Sequence, residues 1–578
     1  MSRWLLLALL LCTNVVVDAS IGFAQDGQLL YTLPAGGSPG QTIELELQGK
    51  GSEAVERFYL HGAVLSTERI DKSRRRITLP PTIPLGEYDL WPITKSGLGT
   101  PCRFVIQATA TSVEQEPNST ATEAQAITLP ATIYGQITPA VDGDWYRVSL
   151  DESQGLTIAA RSLSLGGTVW PTITVLDPSG AEVAHDALNR LEPVVHLRAQ
   201  RSGEYRILVQ DRGYRGTPAP LYELTLTSAP YVRAAFPLTL ERSQTQQVTL
   251  SGYQLPGDKP VVGAREPLTE LVVDITAPPK SVRSGLGWVS ARAFRTEVFD
   301  YRHPQFGGVV RFELNDAAAT HHVIAAGAVS TEVATPPVSW SQRFATTRAA
   351  SHTYRFRAEK SQMLWFEAIA ERVDRPCDLE LVICDRDLKP LETIGGIAIP
   401  KEQAIPVPVE SRDPAGAWRA PEAGEYHLVV RDLLSVTGDP PDRAYRVSIG
   451  PRLEHVNVLA MLGEATKPTA WNVAPGKSLT VPLVVVRSGG HAEPIEIRAV
   501  ELPPGITVQP LTLGGKDHTA KLTVTAAQDA RPVIGALRLL ATSKVNGKPL
   551  ERVVGVALPI AGATPTARLC EAGLIAIP

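Results

Sequence analysis

Short runs in which apolar and polar residues alternate recur along almost the whole chain. Residues 42–47 (TIELEL), 172–176 (TITVL) and 221–226 (LYELTL) each follow a period of two, as a β-strand with one buried face does. Tight-turn sequences such as 177–180 (DPSG) and 546–547 (NG) separate these runs. Helical stripes are nearly absent. The pattern predicts an all-β protein, built as a tandem array of β-sandwich domains of jelly-roll-like and Ig-like type.

Two kinds of unit occur twice along the chain. The correspondences are Pro34…Gly49 with Pro237…Gly252, residues 144–148 with 352–356, and residues 203–211 with 424–432. A fifth unit follows. The sequence therefore predicts a signal peptide at 1–24, an Ig/TIG-like sandwich at 25–109, a second type of sandwich at 110–229, a second Ig/TIG-like domain at 230–337, a degenerate second copy at 338–450, an Ig-like domain at 451–562 and a tail at 563–578. We expect the tail to be loosely held.

Composition narrows the class of protein without indicating a chemistry. The chain has 578 residues, 43% hydrophobic and 20% charged, which is enough for several packed cores and excludes wholesale disorder. Its 46 Gly and 47 Pro are spread out, as turns between short strands require. The formal net charge of -4 lacks the basic excess typical of nucleic-acid-binding proteins, so we expect no nucleic acid among the partners.

Residues 1–24 have the three parts of a secretory signal peptide. Arg3 supplies the positive start, residues 4–11 are apolar, and small residues allow cleavage after Ala24 or after Ala19. An uncleaved membrane anchor is the alternative, which the short and interrupted apolar run disfavours. We expect a secreted, periplasmic or cell-surface protein with no transmembrane segment after signal removal.

Four cysteines follow the signal peptide, too few for a disulfide framework in a chain of this length: Cys102, Cys377, Cys384 and Cys570. Two interpretations of Cys377 and Cys384 stay open at this point. They form a bridge in an oxidising compartment, or they are two buried small apolar residues, which we favour slightly.

The second unit carries several motifs in a fixed order: residues 114–118 (EQEPN), 133–137 (IYGQI), 142–146 (DGDWY) and 203–205 (GEY). In this order they resemble the bacterial pre-peptidase C-terminal (PPC) domain. This family of β-sandwiches accompanies catalytic domains in secreted proteases and serves as a collagen-binding domain in clostridial collagenases. The resemblance covers about residues 112–227, whereas the copy at 338–450 matches only the later half.

The other units show weaker resemblances. The first and third units are similar to Ig-like or IPT/TIG-type sandwiches, and the last unit resembles a bacterial Ig-like module, chiefly through residues 502–505 (LPPG). The array as a whole resembles large exported proteins of planctomycete-type bacteria.

Oxygen-bearing side chains of the PPC-like unit form the best candidate metal site: Glu114, Glu116, Asn118, Asp142 and Asp144. Calcium takes about 6–8 oxygen ligands, which five side chains with carbonyls or water can supply. Collagen-binding members of the family hold calcium with a Glu-x-Glu-x-Asn segment and downstream Asp residues, so the resemblance implies one structural calcium ion. Turn chemistry is the alternative, with Asn118 in an Asx-turn and residues 142–144 in a solvated hairpin.

Catalytic motifs are not found. The chain has no Gly-x-Ser-x-Gly elbow, no HExxH and no Walker A loop. Residues 488–491 (SGGH) follow an apolar run and are interpreted as a loop between two strands. His321 and His322 are adjacent on a predicted strand, where they face opposite sides, so a structural placement is favoured.

Aromatic residues offer a second lead. Tyr214, with Arg212 and Arg215, lies in a predicted loop where no core alternation requires an aromatic ring, and we interpret these three residues as a ligand contact. The tryptophans in or near the two PPC-like copies are each expected in a core: Trp145, Trp170, Trp340, Trp365 and Trp418.

Three functions are compatible with this pattern. The first, which we favour, is a non-catalytic multidomain protein for adhesion or other binding, with a protein or polysaccharide ligand outside the cytoplasm. The second is an accessory or processed partner of a secreted protease. The third is an enzyme with an unrecognised site built on loops.

Overall fold

The structure is a computed structural model. It describes residues 27–578 except 187–191, 215–217, 258, 262–263, 265–266, 280–287, 290–296, 316–319, 325–329, 345–350, 398–410, 434–440, 453, 465–466 and 561–565. Its described elements are β-strands and three-residue 3-10 helices, which confirms the all-β fold class. The predicted signal peptide and Arg215 lie outside the described residues. Among the described residues, no helix has the length and apolar character needed to cross a membrane.

The strands form five successive units. Within the described ranges, units 1 to 4 each contain two sheets, and the strands of unit 5 lie in four. Unit 1 consists of β1 (Gln28–Leu33), β2 (Gly36–Gly37), β3 (Thr42–Lys50), a 3-10 helix (Ser52–Ala54), β4 (Arg57–Leu60), β5 (Ala63–Leu65), β6 (Thr67–Arg69), β7 (Arg74–Thr78), β8 (Gly86–Thr94), β9 (Gly97–Leu98) and β10 (Cys102–Ile106). Its sheets have the orders β1-β3-β7-β6 and β2-β10-β8-β4-β5, with β9 paired to β8.

Unit 2 begins directly after unit 1. It consists of β11 (Thr111–Val113), β12 (Gln125–Ala126), β13 (Ala131–Gln136), β14 (Gly143–Leu150), β15 (Gly155–Arg161), a 3-10 helix (Leu163–Leu165), β16 (Pro171–Leu176), β17 (Glu182–Asp186), β18 (Val194–Arg198), β19 (Gly203–Asp211) and β20 (Leu221–Thr227). The sheet orders are β11-β13-β20-β15-β18 and β12-β14-β19-β16-β17.

Unit 3 repeats the start of unit 1. It consists of β21 (Tyr231–Phe236), β22 (Thr239–Glu241), β23 (Thr245–Tyr253), β24 (Lys259–Pro260), β25 (Leu268–Thr276), β26 (Trp288–Val289), β27 (Val298–Tyr301) and β28 (Val310–Asn315). Strand β26 does not pair within its own unit; it joins the large sheet of unit 5 through β53, introduced below.

Unit 4 repeats unit 2. It consists of β29 (Thr320–Val323), β30 (Val333–Ala334), β31 (Val338–Arg343), β32 (Ser351–Ala358), β33 (Met363–Ile369), a 3-10 helix (Glu371–Val373), β34 (Leu379–Cys384), β35 (Pro390–Ile394), β36 (Gly396–Ile397), β37 (Ser411–Arg419), β38 (Gly424–Asp432) and β39 (Ala444–Gly450). The sheet orders are β29-β31-β39-β33-β37-β36 and β30-β32-β38-β34-β35.

Unit 5 contains the remaining strands: β40 (His455–Met461), β41 (Gly463–Glu464), β42 (Lys467–Pro468), β43 (Trp471–Asn472), β44 (Ser478–Ser488), β45 (Ile495–Glu501), β46 (Ile506–Val508), β47 (Leu511–Leu513), β48 (Thr519–Ala526), β49 (Val533–Ala536), β50 (Arg538–Val545), β51 (Lys548–Val553), β52 (Gly555–Ile560), β53 (Thr566–Leu569) and β54 (Leu574–Ile577). The predicted Asn546-Gly547 turn joins β50 to β51, with positive φ at both residues.

Units 2 and 4 share their first strands as well as their last. In unit 2, β11 pairs in parallel with β13 and β12 with β14; in unit 4, β29 pairs in parallel with β31 and β30 with β32. Unit 4 therefore begins before the predicted boundary at 337/338. The sequence pattern misses this part because β30 has only two residues and the residues between β29 and β30 do not match the motif of unit 2.

The prediction that the tail is loosely held is wrong. Residues 566–578 form β53 and β54, and Leu574–Ile577 are buried in the core that unit 5 shares with unit 1. The side chains of Trp91 and Leu98 complete the same core from unit 1. The run LIAI of β54 is too short to show its burial from sequence, since the residues that bury it come from other segments, including Trp471 of unit 5 and the hairpin β8–β9 of unit 1.

Polar contacts close the same interface between units 1 and 5. The Arg568 guanidinium pairs with buried Asp89, whose other oxygen accepts a hydrogen bond from the Glu571 N–H at 2.6 Å. The Asn472 side chain accepts from the Leu98 N–H and donates to the Leu98 carbonyl, both at 2.8 Å. The five units are therefore not independent domains joined only by linkers, because the last unit packs on the first.

Ion pairs also join neighbouring units. Arg161 of unit 2 pairs with Glu87 of unit 1 at 2.8 Å, and Arg233 of unit 3 pairs with Asp442 before β39 at 2.6 Å. The Arg233–Asp442 pair is almost fully buried, so breaking either partner leaves an uncompensated charge.

The four cysteines are buried free thiols. A Cys377–Cys384 bridge is excluded in this structure, and the interpretation as buried small apolar residues is confirmed.

Candidate functional site

The candidate metal site lies where the chain passes from unit 1 into unit 2. Glu114 directly follows β11, and Glu116 and Asn118 follow in the extended segment after it. Asp142 immediately precedes β14, and Asp144 is the second residue of that strand. The Trp145 N–H donates to the Asn118 carbonyl at 2.8 Å, which holds the incoming segment beside the start of β14.

Three carboxylates converge at this point. One oxygen each of Glu116, Asp142 and Asp144 lies within 4.8 Å of the other two. Asp142 and Asp144 are buried, whereas Glu116 is exposed, so the cluster is open to solvent on one side. Three carboxylates this close repel one another unless a cation or a proton compensates them.

Buried polar atoms next to the carboxylates lack partners. Both polar side-chain atoms of Asn118 and Oδ1 of Asp144 make no hydrogen bond to any described residue, although both residues are fully buried. A buried polar group without a hydrogen-bond partner lowers the stability of the fold by about 1–3 kcal/mol. The unpartnered atoms therefore indicate a place where a ligand would bind. The Asx-turn alternative for Asn118 is wrong, because an Asx-turn would occupy its Oδ1.

Glu114 lies behind the three carboxylates and has different partners. Its Oε1 accepts from the Gln136 N–H at 2.7 Å, and its Oε2 lies 3.0 Å from the Tyr222 hydroxyl. The same hydroxyl lies 2.6 Å from Oδ2 of Asp144 and is also hydrogen-bonded to the Tyr146 hydroxyl. Glu114 therefore belongs to the hydrogen-bonded base of the site. The prediction that all five side chains form one ligand set is corrected for Glu114.

The electrostatics of the site follow from burial. Burial raises the pKa of Asp144 far above its ordinary value, and the negative charge of Glu114 raises it further. Burial also raises the pKa of Glu114. A divalent cation would reverse both effects, because it stabilises the ionised carboxylates.

These residues fit a hard divalent cation that prefers oxygen ligands. Glu116, Asp142 and Asp144 would bind it directly with the Oδ1 of Asn118, and the exposed side would admit water. The donor set contains no sulfur and no imidazole, which favours calcium or magnesium over zinc.

The equivalent position in unit 4 carries no acids. His352 replaces Asp144, since both lie opposite corresponding valines of the paired strand. Tyr354 and Tyr445 repeat the tyrosine pair with their hydroxyls 2.6 Å apart. Nδ1 of His352 lies 2.7 Å from the Tyr445 hydroxyl, and the Tyr354 hydroxyl donates to the Gln342 side chain at 2.6 Å.

The tyrosine pair was missed in the sequence. Tyr146 and Tyr222 occur in unit 2, and Tyr354 and Tyr445 occur at corresponding places in unit 4. This recurrence was the available signal, but an alternating strand pattern also explains a buried tyrosine without any site.

The predicted surface contact is partly visible. Arg212 and Tyr214 are exposed in the loop after β19, and Tyr214 has a φ of 46°. A positive φ is uncommon in a residue with a large side chain. Arg215 lies outside the described residues, and the role of all three as a ligand contact stays a prediction.

The tryptophans divide into two groups. Trp340 and Trp418 lie in the core of unit 4, as predicted. Trp145, Trp170 and Trp365 are half-buried and lie outside the buried clusters, so the core prediction is wrong for them. Each stands on the outward side of its strand or in a loop, a distinction that the presence of a tryptophan alone does not reveal.

The other histidine motifs are structural. His491 is buried; its Nδ1 lies 2.7 Å from the Arg487 guanidinium and its Nε2 lies 3.1 Å from the Ser543 hydroxyl. His321 lies 2.8 Å from the Ser339 hydroxyl, whereas His322 stacks near Trp340. The two adjacent histidines therefore have different surroundings.

No protein-family model matches the chain, and no curated protein sequence matches it. Among solved structures, the pre-peptidase C-terminal domain of collagenase from Bacillus anthracis aligns with 13% identity over 23% of this chain and 99% of its own, with a TM-score of 0.14. The SGBP-B protein of the mixed-linkage glucan utilization locus of Bacteroides ovatus, solved with a mixed-linkage heptasaccharide, aligns with 10% identity over 74% of this chain and 76% of its own, with a TM-score of 0.15.

The surface layer protein SbsC, domains 1–6, aligns with 11% identity over 93% of this chain and 55% of its own, with a TM-score of 0.13. At these TM-scores the alignments carry no argument about function. The resemblance of unit 2 to the PPC domain therefore depends on its sequence motifs.

Proposed function

We propose that this protein is an exported, non-catalytic binding protein whose five β-sandwich units present loops and sheet faces to a polymer outside the cytoplasm. The observation that carries the proposal is the fixed arrangement of the units. Unit 5 completes its core with Trp91 and Leu98 of unit 1, and buried ion pairs such as Arg233–Asp442 join neighbouring units. Such an arrangement holds exposed loops in constant relative positions, which favours simultaneous contact of several loops with one polymer.

We further propose that unit 2 is a PPC-type domain with one structural calcium ion. The motifs at 114–118 and 142–146 support the family, and the convergence of Glu116, Asp142 and Asp144 around unpartnered atoms of Asn118 supports the ion. The ion would join the segment that leaves unit 1 to the first long strand of unit 2. Its role would be to fix this junction, and the polymer contact would lie elsewhere.

The binding function is tested with the mature chain on an array of polysaccharides and matrix proteins. We expect the protein to be retained in a saturable manner on at least one polymer. The polymer recovered afterwards should have its original chain length. Retention on none of the polymers, or a polymer that becomes shorter during incubation, would contradict the proposal. Size-exclusion chromatography of the recovered polymer measures the second outcome.

The calcium ion is tested by elemental analysis of the mature chain after purification in calcium-containing buffer and desalting. We expect about one calcium ion per chain. The wild type is compared with Glu116→Gln, which removes one ligand charge at an exposed position. This variant is expected to contain less calcium while unit 2 stays folded. Equal calcium content in both proteins would contradict the site.

A further inference from the structure

Units 2 and 4 are each followed by another unit at the same end of their sandwich, which makes two junctions comparable. In unit 2, the outward residues of β15 lie beside β18: Gly155 opposite Arg198 and Thr157 opposite His196. In unit 4, β33 and β37 take the same places, with Met363 opposite Arg419 and Trp365 opposite Ala417.

The face of unit 2 is covered by unit 3. The His196 ring stacks on Tyr253 of unit 3, with ring centroids 4.1 Å apart and planes 9° apart. A Cβ at Gly155 would lie 2.4 Å from the Gln254 amide, so unit 3 packs directly on this strand. Thr157 is accordingly buried.

The face of unit 4 is open at the same place. Met363 is 48% exposed, Ala417 is exposed and Trp365 is only half-buried. The equivalent position in unit 5 can be found by strand pairing, because Tyr253, which covers unit 2, lies opposite Tyr231 at the start of the first strand of unit 3.

The start of unit 5 explains why its neighbour is left uncovered. His455 and Ser488 form the corresponding pair, and Gly489 and Gly490 follow. Ser488 and Gly489 therefore stand where the first junction has Tyr253 and Gln254, so this loop of unit 5 has neither the tyrosine nor the glutamine that covers unit 2.

The open face is flat and positively charged. Ala417 and Gly450 flank Trp365 on the two neighbouring strands, so its direct cross-strand neighbours are small. The Arg452 guanidinium lies 5.2 Å from the ring centroid. Arg419 and Arg452 are both exposed, and within the described residues neither forms an ion pair with a carboxylate.

Two acidic groups close to this face are already paired. Glu367, two residues along β33, accepts from the Arg372 guanidinium at 2.7 Å. Glu422, in the turn before β38, pairs with Lys360 at 2.9 Å. Arg419 and Arg452 therefore give the surface beside Trp365 a positive charge, whereas Glu454, two residues after Arg452, accepts a hydrogen bond from the Asn546 N–H at 2.7 Å.

We propose that this face, made of Met363, Trp365, Ala417, Arg419, Gly450 and Arg452, binds an anionic polysaccharide. The indole ring offers an apolar surface for the C–H face of a pyranose, and the small flanking residues let the sugar approach. Guanidinium groups bind carboxylate or sulfate in a bidentate manner, so Arg419 and Arg452 select sugars that carry such groups. This inference rests on the proposed binding function and names its ligand class and site.

The test uses the full mature chain and three soluble probes in calcium-containing buffer: hyaluronan for carboxylate, dextran sulfate for sulfate, and dextran as the neutral polymer. Affinity electrophoresis or calorimetry measures binding. We expect binding to at least one anionic probe and none to dextran, and the probe that binds shows which anionic group is recognised. Trp365→Ala should weaken binding by about tenfold or more. Arg419→Gln and Arg452→Gln should each weaken it and reduce its dependence on salt.

The matched control is Arg198→Gln, which removes the arginine at the corresponding position of unit 2, where unit 3 covers the face. It should leave binding unchanged. Trp365→Phe serves as a second variant that keeps an aromatic ring, and melting curves confirm folding of every variant.

The outcomes separate the site from the general function. Unchanged affinity in Trp365→Ala and in both arginine variants would overturn this site while leaving a polymer-binding protein. Equal binding to dextran, or binding only to proteins on the array, would overturn the anionic ligand. Retention of nothing at all would overturn the proposed function itself.

Discussion

Units 2 and 4 have the same strand order and the same buried tyrosine pair, yet one surrounds the pair with acids and the other with neutral groups. Unit 2 places Glu114 and Asp144 on the tyrosine hydroxyls, whereas unit 4 places Gln342 and His352 there. The comparison teaches that this sandwich does not need a metal to close its tyrosine pair. The buried acidic side chains of unit 2 are therefore not explained by the tyrosine pair, whereas a bound cation would explain them.

The largest expected effect concerns a buried ion pair that only unit 4 has. Arg443 pairs with Asp432 at 2.8 Å, and both side chains are almost fully buried. Arg443→Met removes the guanidinium that pairs with buried Asp432 and should lower the free energy of unfolding of unit 4 by about 3–5 kcal/mol, measured in urea.

The control for that variant comes from unit 2. Pro220 stands where unit 4 has Arg443, and Asp211 there accepts the Trp170 N–H at 3.0 Å. Pro220→Ala should cost less than about 1 kcal/mol. An equally small loss in Arg443→Met would show that the two units do not differ in this way.

The next effect concerns calcium in unit 2. A chelator should lower the melting temperature of the full chain, and a calcium concentration of about 100 times Kd should stabilise unit 2 by about 2.7 kcal/mol. Asp144→Asn should abolish the difference between chelator and calcium, since it removes one of the converging carboxylates. His352→Asn, at the equivalent position of unit 4, should leave the calcium response intact; an identical response in both variants would contradict the site.

A third variant attempts to convert unit 4 toward unit 2. His352→Asp buries a carboxylate beside Tyr445, where Gln342 and the tyrosines are neutral and the nearby Arg443 guanidinium is already paired with Asp432. We expect a loss of about 2 kcal/mol in the stability of unit 4, which calcium does not restore. Recovery of stability on adding calcium would show that the neutral site can bind a cation with a single acid.

The last effect concerns the pH dependence of stability. Burial lowers the pKa of His352 to about 4, and the positive charge of Arg443 lowers it further. Between about pH 6.5 and 4 the unfolded histidine binds more protons than the folded one, so stability falls as the pH falls, by at most about 1.4 kcal/mol per pH unit. Tyr445 and Phe344 are the other groups that contact this ring.

The measurement compares melting temperatures of the wild type and His352→Asn from pH 7 to pH 4. The variant should show a shallower decline. His196 and His321, whose pKa values burial also lowers to about 4, keep the rest of the decline in both proteins. Parallel curves would contradict a neutral, buried His352.

The sequence allowed the all-β class and the repetition of units to be predicted, because period-two runs and turn residues are local signals. It also allowed Glu116, Asn118, Asp142 and Asp144 to be grouped, since they lie in two short motifs. Contacts between distant segments were not predictable. The Arg568–Asp89 pair joins residues 479 positions apart, and neither residue carries a local mark of its partner.

The outward placement of Trp365 was equally hidden. Its strand alternates as expected, but both Leu364 and Trp365 are apolar, so the pattern does not tell which of them faces the core. The structure assigns Leu364 to the core and Trp365 to the outer face.

The hairpin β8–β9, which carries Trp91 and Leu98 into the core of unit 5, has a consequence for the order in which the protein matures. A polypeptide emerges from its synthesis or export machinery with its amino end first, so unit 1 is available long before β53 and β54 exist. Until then Trp91 and Leu98 lack the apolar surface of unit 5 and remain open to chaperones and proteases. Chains that lack residues 566–578 would keep the apolar surface of Trp91 and Leu98 exposed. Chaperones and proteases could therefore distinguish such truncated chains by this surface.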